Sequence, residues 1–540
     1  MPNGARRTPG ARLFCTFLQV FDMTMNCRNA LGAALTALAL GTGTAQAKVT
    51  ADDVWAAIVA QYGALGADLT ATLTRDGAVV TVSGISGSMI LPLIAGGIVG
   101  AITVRTGDVT LTEGTDGTVA AMIGADWPVI LGLTAAARRY TALVDVDLMV
   151  NTLGYTASFG GTPDDVRATS TYDQMLITLE RLDMDIPGGA AMLDVDVLIA
   201  IQGGATQSRI LQQGGVAVQG DGTLARVVVD YSVSYYEMQS RTVSETRDFR
   251  YVSQMIVPEG GFDMLNLAPA LRAGLELISR VESGATQSQS LSRTGDATLS
   301  DMVQSVDTTW QSLALNADGI VVTGESSGIA AQMTLADRMS LPLGLAIDSV
   351  AGGFRMPLLA DTAPGPAGLD LDMAGLTLSD GLWDLLGPAT GPLRLPADLS
   401  LRITAQVTPR VDLVDFAGLA ALFDDGDAVP VELNSVTLNA FRAAYAGAEV
   451  TGTGTALQDW VGIDDIGHLP PTTGSAGFVM SGANRLLQMI TDSGLLGPTE
   501  MMGLRGGLAM IARPTGADEM TTDIIFGPDV GFVVNGQRID

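Results

Sequence analysis

Lysine is almost missing from this chain: Lys48 is the only one among 540 residues, and His468 is the only histidine. A phosphate-loop or Schiff-base lysine deep in a fold is therefore excluded, and so are multi-histidine zinc and iron sites. Cysteine is confined to Cys15 and Cys27, which excludes a disulfide framework over the rest of the chain. Basic charge is scarce as well. Twenty-nine Lys and Arg face 58 Asp and Glu, a net charge of −29. Such a surface repels nucleic acid and anionic headgroups, and it suits a solvated acidic exterior, a cation or a basic partner. Charged residues make up only 16% while hydrophobic ones reach 47%, so a packed protein is expected rather than a disordered one.

What is present begins with a leader. Leu31 to Leu40 is an apolar run, Arg28 precedes it, and Ala45-Gln46-Ala47 has the small-x-small form of a cleavage site. The expectation is a signal peptide over 1–47, cleaved after Ala47, and a periplasmic or envelope protein. Translation from Met23 or Met25 fits this leader better than Met1, which leaves Arg6, Arg7 and Arg12 in an over-extended start. A retained anchor is the alternative, although the run is short and rich in Gly and Ala. Cys27 lacks the apolar or small neighbours of a lipoprotein site. Both cysteines leave with the leader. The remainder, from Lys48, must then be held by its core.

Along that remainder the hydrophobic period is mostly two. Thr50 to Leu65 is an exception: Thr50 and Asp53 approximate a capping box, and Val54, Trp55, Ile58, Val59 and Tyr62 form one helical face. Leu69–Thr74 and Ala78–Ser83 flank an Asp76-Gly77 turn. The uncharged stretch Ile85–Val104 is long enough to span a membrane, but Pro92 and Gly96-Gly97 interrupt it, and two strands with a connection are expected. Strand patterns then recur to Thr309, with a helical pattern of Leu267, Leu271, Leu275 and Ile278 between them. The Pro- and Gly-rich stretch 359–368 reads as a connector between strand-rich halves 48–358 and 369–540. In the last block, Ser481 can cap a helix ending at Gly494. Pro498 opens a second helix striped by Met501, Leu504, Leu508 and Ile511. Strands Thr521–Phe526 and Phe532–Val534 close the chain around Gly527-Pro528-Asp529. The helical pair is expected to bury its stripe against a sheet or itself. Arg485, Arg505 and Arg513 are its cations, few for an anionic membrane surface. The fold class expected is mainly β (α+β): a long antiparallel, curved meander with a few peripheral amphipathic helices, including this C-terminal pair and closing hairpin.

Several segments carry a resemblance: Gly375-Leu-Thr-Leu-Ser-Asp-Gly-Leu-Trp-Asp-Leu-Leu-Gly-Pro388, Ala446-Gly-Ala-Glu-Val-Thr-Gly-Thr-Gly454, Asn535-Gly-Gln-Arg538, Gly107-Asp-Val-Thr-Leu-Thr-Glu113 and Asp116-Gly-Thr-Val119. In these the chain resembles the uncharacterised bacterial exported proteins grouped as domain of unknown function 2125. The resemblance implies export and a β-rich fold. No catalytic residues are established for that family, and none is carried over.

Chemistry is sparse. Gly324-Glu-Ser326-Ser-Gly328 fits the hydrolase pattern Gly-x-Ser-x-Gly, and His468 follows in the order such enzymes use. The motif needs a strand, a sharp turn and a helix. Here a strand precedes it and a second strand-like stretch, Ile329–Leu335, follows, so a Gly/Ser turn between strands is expected. Asp424-Asp425-Gly426-Asp427 resembles part of a calcium loop but lacks the downstream bidentate Glu, and a solvated turn is the expectation there and at Asp464-Asp465. No cofactor is expected. Two function classes remain, with a serine hydrolase using Ser326 and His468 behind them. One is a non-catalytic envelope protein holding a lipid or other extended hydrophobic ligand along a sheet groove, by analogy with AsmA-like groove proteins. The other is a structural or protein-partner-binding envelope protein with a filled core. Neither nucleic acid nor a stable transmembrane span of the mature chain is expected.

Overall fold

A computed structural model describes residues 48–93, 98–137, 140–185, 193–295, 297–335, 339–425, 429–463 and 470–539. Strand takes 67% of the chain and helix 14%, so the protein is mainly β, with antiparallel meanders as the two-residue period predicts. No helix among the described residues is long and apolar enough to cross a membrane. The chain forms two compact units, Met1–Ser283 with Ser292–Asp296, and Gly284–Leu291 with Ala297–Asp540. The division falls near residue 290 rather than at 359–368.

The first unit opens with helix α1 (Ala51–Ala64), followed by β1 (Ala67–Asp76), β2 (Val79–Leu93), β3 (Ile98–Thr106), β4 (Val109–Glu113), β5 (Val119–Ile123), β6 (Asp126–Ala137), β7 (Tyr140–Leu153), β8 (Thr156–Thr162), β9 (Asp165–Asp185), β10 (Leu193–Gln212), β11 (Gly215–Tyr235), β12 (Met238–Pro258), helix α2 (Ala268–Arg272) and β13 (Glu276–Ser283). The uncharged stretch after Ile85 is strand, as expected: β2 pairs antiparallel with β3 from Ser86–Arg105 to Leu93–Ile98. Long strands here serve two shorter ones placed end to end. β9 pairs with β8 over Asp165–Thr171 and with β7 over Gln174–Asp185. The helical pattern after Phe262 yields only the five residues of α2. Gly274, at φ +101°, ends it, and Leu275 to Ile278 turn into β13.

Helix α1 closes one end of this sheet. Its capping box is formed as expected, with Thr50 and Asp53 each accepting from the other's backbone N–H. Glu113 anchors it, accepting the Ala51 N–H at 2.9 Å while pairing with Arg75 at 3.1 Å. Val54 and Ala57 are fully buried against Val80, Val82, Leu111, Phe159 and Val166. Burying a side chain such as Val54 stabilises by about 1.5–3 kcal/mol.

The second unit contains most of β14 (Thr286–Thr294), then β15 (Ala297–Val306), β16 (Thr308–Asn316), β17 (Gly319–Leu335), β18 (Met339–Met356), β19 (Gly365–Leu378), helix α3 (Asp380–Leu386), a 3₁₀ turn at Pro388–Leu393, β20 (Ala397–Pro409), helix α4 (Phe416–Asp425), β21 (Val431–Tyr445), β22 (Ala448–Gln458), β23 (Thr472–Ser481), helices α5 (Ala483–Asp492) and α6 (Pro498–Ile511), then β24 (Arg513–Pro514), β25 (Glu519–Gly527), β26 (Gly531–Val534) and β27 (Gln537–Arg538). β17 to β23 pair in chain order, and β25 follows β23. Residues 357–364 turn β18 into β19, and the last four residues of the expected connector, 365–368, are strand.

A line of bends crosses this meander. Gly328 and Gly375 hold φ of +61° and +71°. A Cβ on Gly328 would collide with the carboxylate of Asp307, and one on Gly375 with that of Asp348. The Gly375 N–H donates to Asp398 at 3.0 Å. Aspartate and left-handed glycine thus alternate from strand to strand. Each glycine opens the backbone where a neighbouring carboxylate sits.

Candidate functional site

Of the sequence-derived candidates, Ser326, Asp424 and Asp425 lie among the described residues. Ser326 lies inside β17, with Thr309 on one neighbouring strand and Val350 on the other. Its Oγ shares a 2.9 Å hydrogen bond with Thr309 Oγ1. The expected Gly/Ser turn is corrected: 319–335 is one strand, because Gly328 bends it at φ +61° without breaking register, Ser327 standing opposite Ser349 and Ile329 opposite Ile347. A nucleophile elbow would need a helix after Ser326, and strand follows instead. His468, Asp427 and the Asp464-Asp465 pair lie outside the described residues. Asp424 and Asp425 are the last residues of α4, a helix end rather than the start of a turn. Among the described residues no group of three or more His, Cys, Asp or Glu side chains could hold a metal ion.

The distinctive geometry lies on one face of the second unit's sheet. Residues directly opposite one another in an antiparallel ladder share a face. Through β19 to β23 one such row reads Met373, Leu399, Ala443, Val450, Met480, and the next reads Leu371, Leu401, Phe441, Gly452, Phe478. The opposite face carries Asp372, Ser400, Arg442 and Thr451 in the same register. One face is thus apolar and the other polar. Farther along, the apolar face stays open: Phe354 is 43% and Leu369 44% exposed. Ser326 stands on the first row extended through Val350, two strands from Met373 and roughly 10 Å away at the usual strand spacing.

Helices α5 and α6 roof this face at one end. They enclose an open cleft of about 1030 Å³. Its floor is the Met373 row, its roof Leu486, Leu487, Leu504, Leu508 and Ile511. The gap has a simple cause. Ala443 and Ala448 on the sheet and Gly503 and Gly507 on α6 line the cleft, so small residues stand on both of its walls. A Cβ on Gly503 or Gly507 would meet nothing within 4 Å. The expectation that the helical pair buries its stripe therefore holds only in part. Met501 is buried and Leu508 half-buried, whereas Leu504 and Ile511 are exposed.

The roof is pinned at its ends. Ser481 does not cap α5; the N-cap is Gly482, at φ +71°, and the Asp518 carboxylate accepts the Asn484 N–H at 2.8 Å. Gly494, at φ +71°, follows the end of α5, as expected. Glu500 accepts the Gly497 N–H at 2.6 Å, and Pro498 occupies the first turn of α6. The far end of α6 is held by the closing hairpin: Asn535 Nδ2 and Thr522 Oγ1 both donate to the Ile511 carbonyl, at 3.0 and 2.8 Å. Asn535 Oδ1 in turn accepts the Asp523 N–H at 2.8 Å.

Polar groups at the cleft are already matched. Burial pushes the Tyr445 hydroxyl up, and that hydroxyl donates to the Leu393 carbonyl at 2.5 Å. Asp398 and Glu449, at the margin, lie 3.6 and 2.5 Å from Arg442. Hydrogen bonding to Glu449, before any other cause, raises the Arg442 guanidinium's pKa. The arrangement can take an apolar chain out of water. Sequence reading missed Gly503, Gly507, Ala443 and Ala448. The one available signal was the i, i+4 spacing of the two glycines in an otherwise apolar helix.

No protein-family model, curated protein or solved structure matches the chain.

Proposed function

We propose that the protein is a non-catalytic carrier of a lipid or similar extended hydrophobic molecule, seated between the α5–α6 pair and the apolar sheet face. The observation that carries this reading is the apolar cleft of about 1030 Å³, at the upper end of the roughly 300–1,000 Å³ of small-molecule sites. The open apolar rows beyond it offer an extended molecule further surface. Each buried methylene contributes about 0.8 kcal/mol, so ten give about 8 kcal/mol, which corresponds to micromolar affinity. Ser326 supports the non-catalytic reading through its partner Thr309 and its uninterrupted strand. Export to the periplasm belongs to the same proposal, and it rests on the leader pattern of 1–47. The first unit favours the second reading for itself. Its sheet end is closed by α1, as a structural or partner-binding element would be.

Native mass spectrometry of the protein purified from the periplasm, followed by organic extraction, tests the carrier reading. A stoichiometric lipid-sized adduct is expected. A clean apo mass, together with no uptake of a fluorescent fatty acid, would overturn it. The double variant Gly503→Leu, Gly507→Leu fills the cleft from its roof, and about tenfold weaker uptake is expected, equivalent to roughly two displaced methylenes.

A further inference from the structure

Helix α6 is fixed at its two ends and unsupported between them. Met501 and Ala512 are buried, each beside a pinned terminus. The six residues from Met502 to Gly507 are all exposed, on every side of the helix. Among them is Leu504, which lines the cleft. Gly503, Gly506 and Gly507 stand in the same span, and a Cβ on any of them would meet nothing within 4 Å. Each glycine disfavours a helix interior about fivefold relative to alanine, equal to about 1 kcal/mol. A helix of 14 residues is marginal in water unless packing holds it. Few buried contacts and exposed backbone hydrogen bonds are what allow a segment to open locally.

We infer that α6 is a strap ordered by the cleft's ligand: it opens and re-forms between its pinned ends, and an acyl chain seated beneath it supplies the packing it lacks. Leu504, Leu508 and Ile511 can share one apolar molecule only while α6 is helical, because the helical period brings them to one side. A ligand that makes those contacts with the ordered strap alone shifts the equilibrium toward it. The pins keep the opening local. Glu500 holds the Gly497 N–H, and Asn535 and Thr522 hold the Ile511 carbonyl, so the opened segment stays tethered over the cleft. The floor needs no such ordering, since its rows are fixed in the β20–β21 and β21–β22 ladders. The inference rests on the carrier reading, whose site it regulates.

Hydrogen exchange of the full chain, with and without the fluorescent fatty acid, provides the test. In the lipid-free protein, 502–507 should exchange faster than β20 to β22. With the fatty acid at about ten times its Kd, exchange over 502–507 should slow about tenfold while β20 to β22 stay unchanged. Two substitutions that do not line the cleft move the strap in opposite directions. Gly506→Ala should slow lipid-free exchange over 502–507 about fivefold, and Ala509→Gly should quicken it by a similar factor. Fatty acid affinity should follow, tightening in the first variant and weakening in the second, by up to about fivefold. Lipid-free exchange over 502–507 as slow as in β20 to β22 would overturn the inference. So would bound fatty acid that leaves α6 exchange unchanged, or affinities that both variants leave at the wild-type value; in either case the carrier reading stands. Fast exchange that responds to both substitutions, in a protein that takes up no fatty acid, would instead sink the carrier reading and leave only a marginal strap.

Discussion

Gly328 and Gly375 show how much a single residue decides in this sheet. Each adopts a backbone conformation that costs an L-residue about 1–2 kcal/mol, and each leaves room for a neighbouring carboxylate. Gly328→Ala should lower stability by about 2–4 kcal/mol through both effects. Chemical denaturation would show it, and adding Asp307→Gly should recover the share due to collision. A second residue-scale effect is electrostatic. Hydrogen bonding to Arg209, with Arg167 adding to it, holds the Asp165 carboxyl at about 2. Arg209 Nε approaches it at 2.7 Å. A depressed folded-state pKa stabilises above the unfolded value near 4, and that stabilisation is lost as pH falls toward 2. The contribution should be about 1–2 kcal/mol after allowance for solvent screening. Asp165→Asn should flatten that limb of the stability–pH curve. An unchanged limb would assign the acid sensitivity to other carboxylates.

At the scale of elements, the closing hairpin and α6 act together. Asn535 and Gly536 form its last turn, both with positive φ, and the Asn535 side chain ties Ile511 to Asp523. Asn535→Ala should cost about 1 kcal/mol and release the end of the cleft's roof. Hydrogen exchange should quicken over 498–511 while β19 to β22 keep their protection; uniform loss of protection would mean that the hairpin supports the whole unit instead. The segments behind the resemblance to the exported family do similar work. Glu113 anchors α1, Gly375 makes a bend, Ala446-Gly447 turns β21 into β22, and Asn535 pins α6. Each is a structural role.

Across the whole molecule, the two units solve the same problem differently. A sheet with one apolar face must cover it. The first unit uses α1, whose Val54 and Ala57 reach fully into the core. The second lowers a pair of helices over one end and leaves a cleft, because small residues oppose small residues. Val54→Asp should therefore unfold the first unit at temperatures where the wild type is native, since an unpaired buried charge has no partner there. Replacing Leu504 by Ser in the half-empty second unit should cost under about 1.5 kcal/mol, because that side chain is already exposed. Calorimetry distinguishes the two.

The strand-rich class, the capping box of α1, the Asp76-Gly77 hairpin and the two C-terminal helices were legible in the sequence because each rests on local chemistry: period, caps and turn residues. The five-residue α2 and the unbroken strand through Ser326 were misjudged for a matching reason. Long-range ladder pairing overrode the helical stripe at Leu275 and Ile278 and the turn signal at Gly328. The bend line and the cleft were out of reach altogether. Asp307 meets Gly328, and Ala443 lines one cleft with Gly507, only through strand register and the docking of helices distant in sequence. The sequence by itself determined which residues must leave water. The tertiary structure decided where they are covered by the chain's own side chains and where an apolar face remains open for another molecule.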